Sequence, residues 1–185
     1  MEKTSIKKSI SVILNVVLAF FIVMILFFVI FAFSSNRNDG IPKVFGRSYL
    51  TVLSDSMNIE NEDYDFKGFK RGDIIVIQRY TPIEALTTVF EVGDIITFED
   101  IDNDGNRFYN THRIIEVNTD NNYYITQGDV ANSLGQSQDP DGDYAERVPF
   151  LNVVGSYRST ISGLGNVFLF FQTPAGFLIF IVVPL

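Results

Sequence analysis

The chain contains no cysteine and one histidine, and none of its lysines lies beyond Lys70. The missing cysteines exclude disulfides and thiolate zinc sites. They leave the compartment open, because exported proteins can also lack cysteine. Positive charge is scarce, since 14 Lys and Arg against 22 Asp and Glu leave a net charge of −8 over 185 residues. That balance argues against a nucleic-acid partner, because binding to phosphates relies on cations that neutralise them. The polar middle of the chain also lacks the periodicity of an amphipathic helix, and none is predicted there. The length suits one modest domain plus one or two membrane segments.

Apolar residues gather at the two ends. From Val12 to Phe33 only Asn15 is strongly polar, and no charge interrupts the run. A helix needs about 20 apolar residues to cross a hydrocarbon core. A cleavable signal peptide has an apolar region of about 7–15 residues, and this one is longer. A small domain could not cover a helix that is apolar on every side. Residues 10–33 are therefore read as a transmembrane anchor. Lys3, Lys7 and Lys8 lie in the preceding segment, 1–9, which predicts a cytoplasmic N-terminus. The domain at 34–163 is then extracytoplasmic. Residues 164–185 are apolar but interrupted by Gln172, Thr173 and Pro174. They are expected to form a second, incomplete membrane segment, or else to lie on the membrane surface.

Between the ends, short runs rich in Ile, Val, Tyr, Phe and Thr alternate with polar turns. Strands are predicted at 48–53, 73–78, 94–99, 108–117, 123–127 and 151–157, giving a mainly β domain with a sheet curled toward a barrel. Gly72-Asp73 and Gly93-Asp94 each enter an Asp-Ile-Ile strand, which reads as one turn used twice. The acidic stretch Asp-Ile-Asp-Asn-Asp-Gly at 100–105 opens like a calcium loop, but its twelfth position is Thr111 rather than Glu. A hairpin turn explains it more simply. The segment 128–149 is too long for a plain connection and is expected to be functional or disordered.

Catalytic chemistry has few candidates. A nucleophile needs a base within reach and a group that orients the base. Without cysteine it must be Ser or Thr, and Ser54 and Ser56 end an apolar strand in Leu-Thr-Val-Leu-Ser-Asp-Ser-Met. A lysine base would have to be Lys43, Lys67 or Lys70, in polar turns too wet to keep an amine neutral. An imidazole needs little perturbation to act as a base near neutral pH. In a serine hydrolase on this chain His112 is the base, and its orienting carboxylate is sought among Asp129, Asp139, Asp141 and Asp143.

Ser54-Asp55-Ser56-Met57, Gly72-Asp73-Ile74-Ile75-Val76, Thr111-His112-Arg113-Ile114, Thr126-Gln127-Gly128-Asp129 and Asn152-Val153-Val154-Gly155 follow in that order behind the N-terminal apolar run. This series resembles the type I signal peptidases. His112 narrows the likeness to the endoplasmic-reticulum type, found also in archaea and some Gram-positive bacteria, because the ordinary bacterial branch carries a lysine there. The resemblance implies Ser56 as nucleophile, His112 as general base, and Ser54 helping the Ser56 N–H to stabilise the oxyanion. It also implies substrates that are signal-peptide-bearing precursors, added as an extended strand beside the lipid bilayer. No cofactor is implied, and the oligomeric state is not indicated.

The chain departs from that pattern in two places. Asn58-Ile59 stands where Glu-Pro is usual, followed by an acidic insertion. The second Asp of the Gly-Asp box is displaced, so Asp139 matches it best, with Asp129 as a supporting residue and Asp141 as a rival. Two other readings compete with the peptidase. One is a membrane-anchored β interaction domain, including an inactive relative. The other is a self-cleaving Ser–Lys peptidase, which the missing lysine disfavours.

Overall fold

The computed structural model describes residues 2–37, 40–45, 47–60, 66–102 and 104–178, except for the side chains of 2–9, 27–28, 31–32 and 177. The acidic insertion at 61–65 lies outside the described residues. Two compact units form, one from Met1–Phe45 with Val167–Leu185 and the other from Gly46–Asn166.

In the first unit, helix α1 runs from Glu2 to Arg37 over 36 residues, followed by a two-residue strand β1 (Lys43–Val44). Most described apolar side chains of α1, from Ile10 through Val23 to Phe33, are exposed, with Phe21, Met24 and Ile25 half-buried. Among the described residues no helix is long and apolar enough to cross a membrane. The side chains at 27–28 and 31–32 fall outside that description, so the run Val12–Phe33 is described only in pieces. Near the C-terminus the apolar stretch is not one helix. Helix α4 (Leu164–Phe171) stops at Gln172, and Thr173 caps a short helix α5 (Pro174–Phe177) by accepting the Gly176 N–H at 3.0 Å. Eight residues rise only about 12 Å, well short of a bilayer core. Residues 179–185 lie outside the described residues.

The second unit is an antiparallel sheet in the order β2-β3-β8-β4-β5-β6-β7. Its strands are β2 (Arg47–Thr51), β3 (Ile74–Arg79), β4 (Ile95–Ile101), β5 (Arg107–Asn118), β6 (Tyr123–Gln127), β7 (Ala145–Pro149) and β8 (Val153–Ile161). The β-rich expectation is met. No pairing among the described residues joins β2 to β7, so the ladder is not closed into a barrel. Residues 151–152, expected at the start of the last strand, form instead a 3-10 turn with Phe150.

The Gly-Asp boxes are one turn used twice. Gly72 and Gly93 have φ of +86° and +102°, a region that favours glycine. In each box the Asp carboxylate accepts an N–H three residues back, Asp73 from Lys70 at 3.0 Å and Asp94 from Glu91 at 2.9 Å. Between β4 and β5, Asp102 accepts the N–H groups of Asp104 and Asn106 and the Asn106 side chain, closing a hairpin. Those bonds, with the Asn106 amide foremost, hold its carboxyl below the usual range.

One face of the sheet carries the core. Ile96, Phe98, Ile114, Tyr124, Val148 and Val153 are buried there with Ala85 and Phe90. Phe90 packs edge-on to Tyr124 and Tyr80, and Tyr124 lies 4.3 Å from Phe150 between ring centres. Burial pushes the Tyr124 hydroxyl up from its ordinary value. Each buried Ile, Val or Phe among them contributes about 1.5–3 kcal/mol through removal from water.

Ala85 belongs to a helix that was not expected. Helix α2 (Pro82–Thr87) opens with a capping box, in which the Thr81 hydroxyl accepts the Glu84 N–H and the Glu84 carboxylate accepts the Thr81 N–H at 2.7 Å. It is too short to show an apolar period, and its residues other than Ala85 face outward. The segment 128–149, read as one long loop, contains helix α3 (Asp129–Ser133) and all of β7.

Candidate active site

The chain leaves β2 at Thr51 and turns at Ser54–Asn58. Two anchors hold this turn. Asp55 accepts the Arg71 N–H at 2.9 Å, and the Asn58 N–H returns to the Asp55 carbonyl. Met57, completely buried, has its carbonyl on the Phe69 N–H and its sulfur against the Asp129 N–H at 3.4 Å. Ser56 sits between them, partly exposed, with its carbonyl accepting the Val130 N–H at 2.9 Å. The hydroxyl of Ser54 lies 3.3 Å from that of Ser56.

His112 is brought to this hydroxyl by β5. It pairs across β4 with Ile96, and its ring packs edge-on to Phe98 at 6.5 Å. Its Nε2 lies 3.0 Å from the Ser56 Oγ. Ser56 and His112, the expected nucleophile and base, are therefore in hydrogen-bond contact across 56 positions of sequence.

Gly128 makes that approach possible. A side-chain carbon there would lie 3.0 Å from the Ser56 carbonyl oxygen, 3.1 Å from its Cβ and 3.2 Å from His112 Nε2. The Gly-Asp box thus supplies an empty position beside the pair and, through Val130, a clamp on the Ser56 backbone.

The aspartates expected near His112 lie elsewhere. Asp129 is buried and forms a two-pronged pair with Arg113, at 2.7 Å for both contacts. Arg113 also donates to the Gly93 carbonyl and stacks over Phe66. Asp139 sits in an exposed turn, accepting the Asp141 N–H at 3.0 Å. Asp141 faces Arg147 at 3.4 Å, on the surface. None of the three takes the second ring nitrogen of His112. That position belongs to Glu146, whose carboxylate oxygens lie 2.9 and 3.0 Å from Nδ1.

Glu146 lies within the segment 128–149 but is not one of the aspartates expected there. The pairing of β7 with β6 places it. Val148 points into the core, so Glu146, two residues earlier, must point to the same sheet face. A carboxylate on an inward face needs a partner.

Beside Ser56 runs a groove of about 350 Å³. One wall is Leu50–Ser54, with Phe69 and Ile75 beneath, and the other is Phe108–Thr111 of β5. Phe108–Thr111 are paired on one edge with β4, whereas β5 pairs with β6 only from Arg113 onward. The lining is mostly apolar, and Thr51, Ser54, Ser56 and Thr111 belong to it. Among the described residues no group of His, Asp and Glu has the arrangement of a metal site.

A comparison with curated proteins finds signal peptidase I W of Bacillus subtilis (strain 168), 32% identical over 124 residues, which cover 66% of this chain and 55% of that protein. The chain therefore spans about half the length of this relative. No family model and no solved structure matches.

Proposed function

We propose that the chain is a membrane-anchored serine endopeptidase of the signal peptidase I kind, which removes signal peptides from exported precursors. The observation that carries this reading is the 3.0 Å contact between Ser56 Oγ and His112 Nε2, with Ser56 lining a groove. The likeness to a signal peptidase I across 66% of the chain points the same way.

In this reading an extended precursor segment lies in the groove along Phe108–Thr111, with small side chains in shallow apolar recesses. His112 Nε2 takes the Ser56 proton as Oγ attacks the scissile carbonyl. The Ser56 N–H and the Ser54 hydroxyl donate to the developing oxyanion. The imidazolium then gives its proton to the leaving amine, releasing the mature protein. A water molecule, deprotonated by the same ring, hydrolyses the acyl ester and frees the signal peptide. Each proton leaves and returns through Nε2, so no cofactor is needed.

The anchor in this proposal is α1. At 1.5 Å per residue its 36 residues reach about 54 Å, longer than the roughly 30 Å of a hydrocarbon core. Lys3, Lys7 and Lys8 would keep its start in the cytoplasm and the β unit outside. The endoplasmic-reticulum character rests on His112 standing where a lysine would otherwise serve as base.

The test is cleavage of a precursor bearing an Ala-x-Ala site by membranes containing the unaltered protein, Ser56→Ala or His112→Ala, with N-terminal sequencing of the product. Each substitution should lower the rate about 10³-fold or more. Near-normal turnover by His112→Ala would refute the mechanism. An unaltered protein without activity would favour an interaction domain or an inactive relative.

A further inference from the structure

The Ser56–His112 contact uses one ring nitrogen, and what the other nitrogen meets decides how the ring is held. We infer that Glu146, on strand β7, is the positioning carboxylate of His112, in place of any aspartate of the 129–143 segment. This inference deepens the peptidase reading and rests on it for the role of His112, although the pairing itself can be tested without activity.

Strand parity supports it first. Ile114, Tyr124 and Val148 are core residues on neighbouring strands β5, β6 and β7. Two residues from each along its strand stand His112, Thr126 and Glu146. These three therefore continue the core face one step toward the groove, where apolar packing gives way to a polar chain. The register pairs Thr126 directly with Glu146.

Fixation supports it second. Glu146 Oε2 accepts the hydroxyl of Thr126, a completely buried residue, at 2.9 Å. Asn110 Nδ2 approaches Oε1 at 3.4 Å. With the His112 contacts, both carboxylate oxygens are held, and all four residues lie on paired strands rather than on a loop. A site carried on such strands keeps its geometry better than one carried on loops.

The rivals support it third. Both oxygens of Asp129 are occupied by buried Arg113, so this pair is neutral and turned inward. Asp139 and Asp141 are engaged in an exposed turn. Among the described residues, Glu146 is the one charged group within hydrogen-bond reach of the imidazole.

With Glu146 accepting the Nδ1–H, the proton stays on Nδ1 and the Nε2 lone pair faces Ser56. When Nε2 takes the serine proton, the carboxylate balances the new charge. No bond to Glu146 is made or broken, and it remains ionised throughout.

A single histidine makes the test direct, because every imidazole signal comes from His112. The full chain in detergent micelles, labelled with 15N in the ring, would be compared by NMR as the unaltered protein, Glu146→Gln, Glu146→Asp, Asp139→Asn and Asp141→Asn. In the unaltered protein the neutral ring should carry its proton on Nδ1, and Glu146→Gln should raise the share of the Nε2–H tautomer and the solvent exchange of the Nδ1–H. It should also lower kcat/KM for precursor cleavage by about 10²–10⁴-fold. Glu146→Asp should recover part of both, and the two Asp variants should change neither. An unchanged tautomer share in Glu146→Gln, or a change in Asp139→Asn instead, would overturn the inference. A tautomer share that moves in Glu146→Gln while the unaltered protein cleaves no precursor would support the pairing and overturn the peptidase reading alone.

Discussion

Glycine at position 128 has φ of −67°, which alanine adopts without strain, so its role lies in space rather than backbone freedom. An added methyl would stand 3.0–3.2 Å from Ser56 and the His112 ring, and one of them must yield by a few tenths of an ångström. Gly128→Ala should therefore leave the fold intact and lower kcat/KM about tenfold to a hundredfold, measured by precursor cleavage beside circular dichroism. Ser54→Ala should cost about 10²–10³-fold in kcat if its hydroxyl serves the oxyanion, with little effect on KM. The missing second histidine and later lysines narrowed a possible base to His112, but absence left Ser54 and Ser56 both open, and the family resemblance chose Ser56. Glu146 was not legible, because its partner lies 34 residues away and only strand pairing brings the two together.

Among the elements, the buried Arg113–Asp129 pair ties β5 to helix α3 and so supports the turn that carries Ser56. Asp129→Asn leaves a buried guanidinium without its counter-charge and should destabilise the fold by about 3–5 kcal/mol, measured by denaturant unfolding. Helix α2 is held by its capping box, and Thr81→Ala should cost about 1 kcal/mol. Glu84 has its carboxyl lowered first by the Thr81 N–H and then by the Thr81 hydroxyl. A lowered folded-state value means this contribution is present above the ordinary carboxylate range and is lost as pH falls through the lowered value. The Thr81 amide proton should report that loss in an acid titration by NMR.

The signal for α2 was present as Thr81-Pro82-Ile83-Glu84, yet six residues with one buried side chain give no periodicity to detect. β7 escaped notice because Glu146 and Arg147 interrupt Ala-Glu-Arg-Val-Pro. The two Gly-Asp turns were readable because glycine and aspartate each do the same local work at both positions.

At the scale of the whole molecule, the β-rich character of the middle of the chain was legible from short runs of Ile, Val, Tyr, Phe and Thr. The strand order of the sheet was not, because non-local pairing leaves no mark in a single strand. The C-terminal break at Gln172–Thr173 was visible as polar residues, and the cap on α5 gives it a physical form. The exposed apolar surface of α1 predicts that the full chain stays in the membrane pellet after alkaline carbonate extraction. A variant with three charged residues placed in Val12–Leu26 should be released.

The central claim is that Ser56 and His112 share a proton. Because the chain has no cysteine, Ser56→Cys introduces a unique thiol whose alkylation rate can be followed against pH. With His112 present, the thiol should react as thiolate well below the ordinary midpoint of about 8.5, and adding His112→Ala should return it to that value. A single titration near 8.5 with and without His112 would contradict the account.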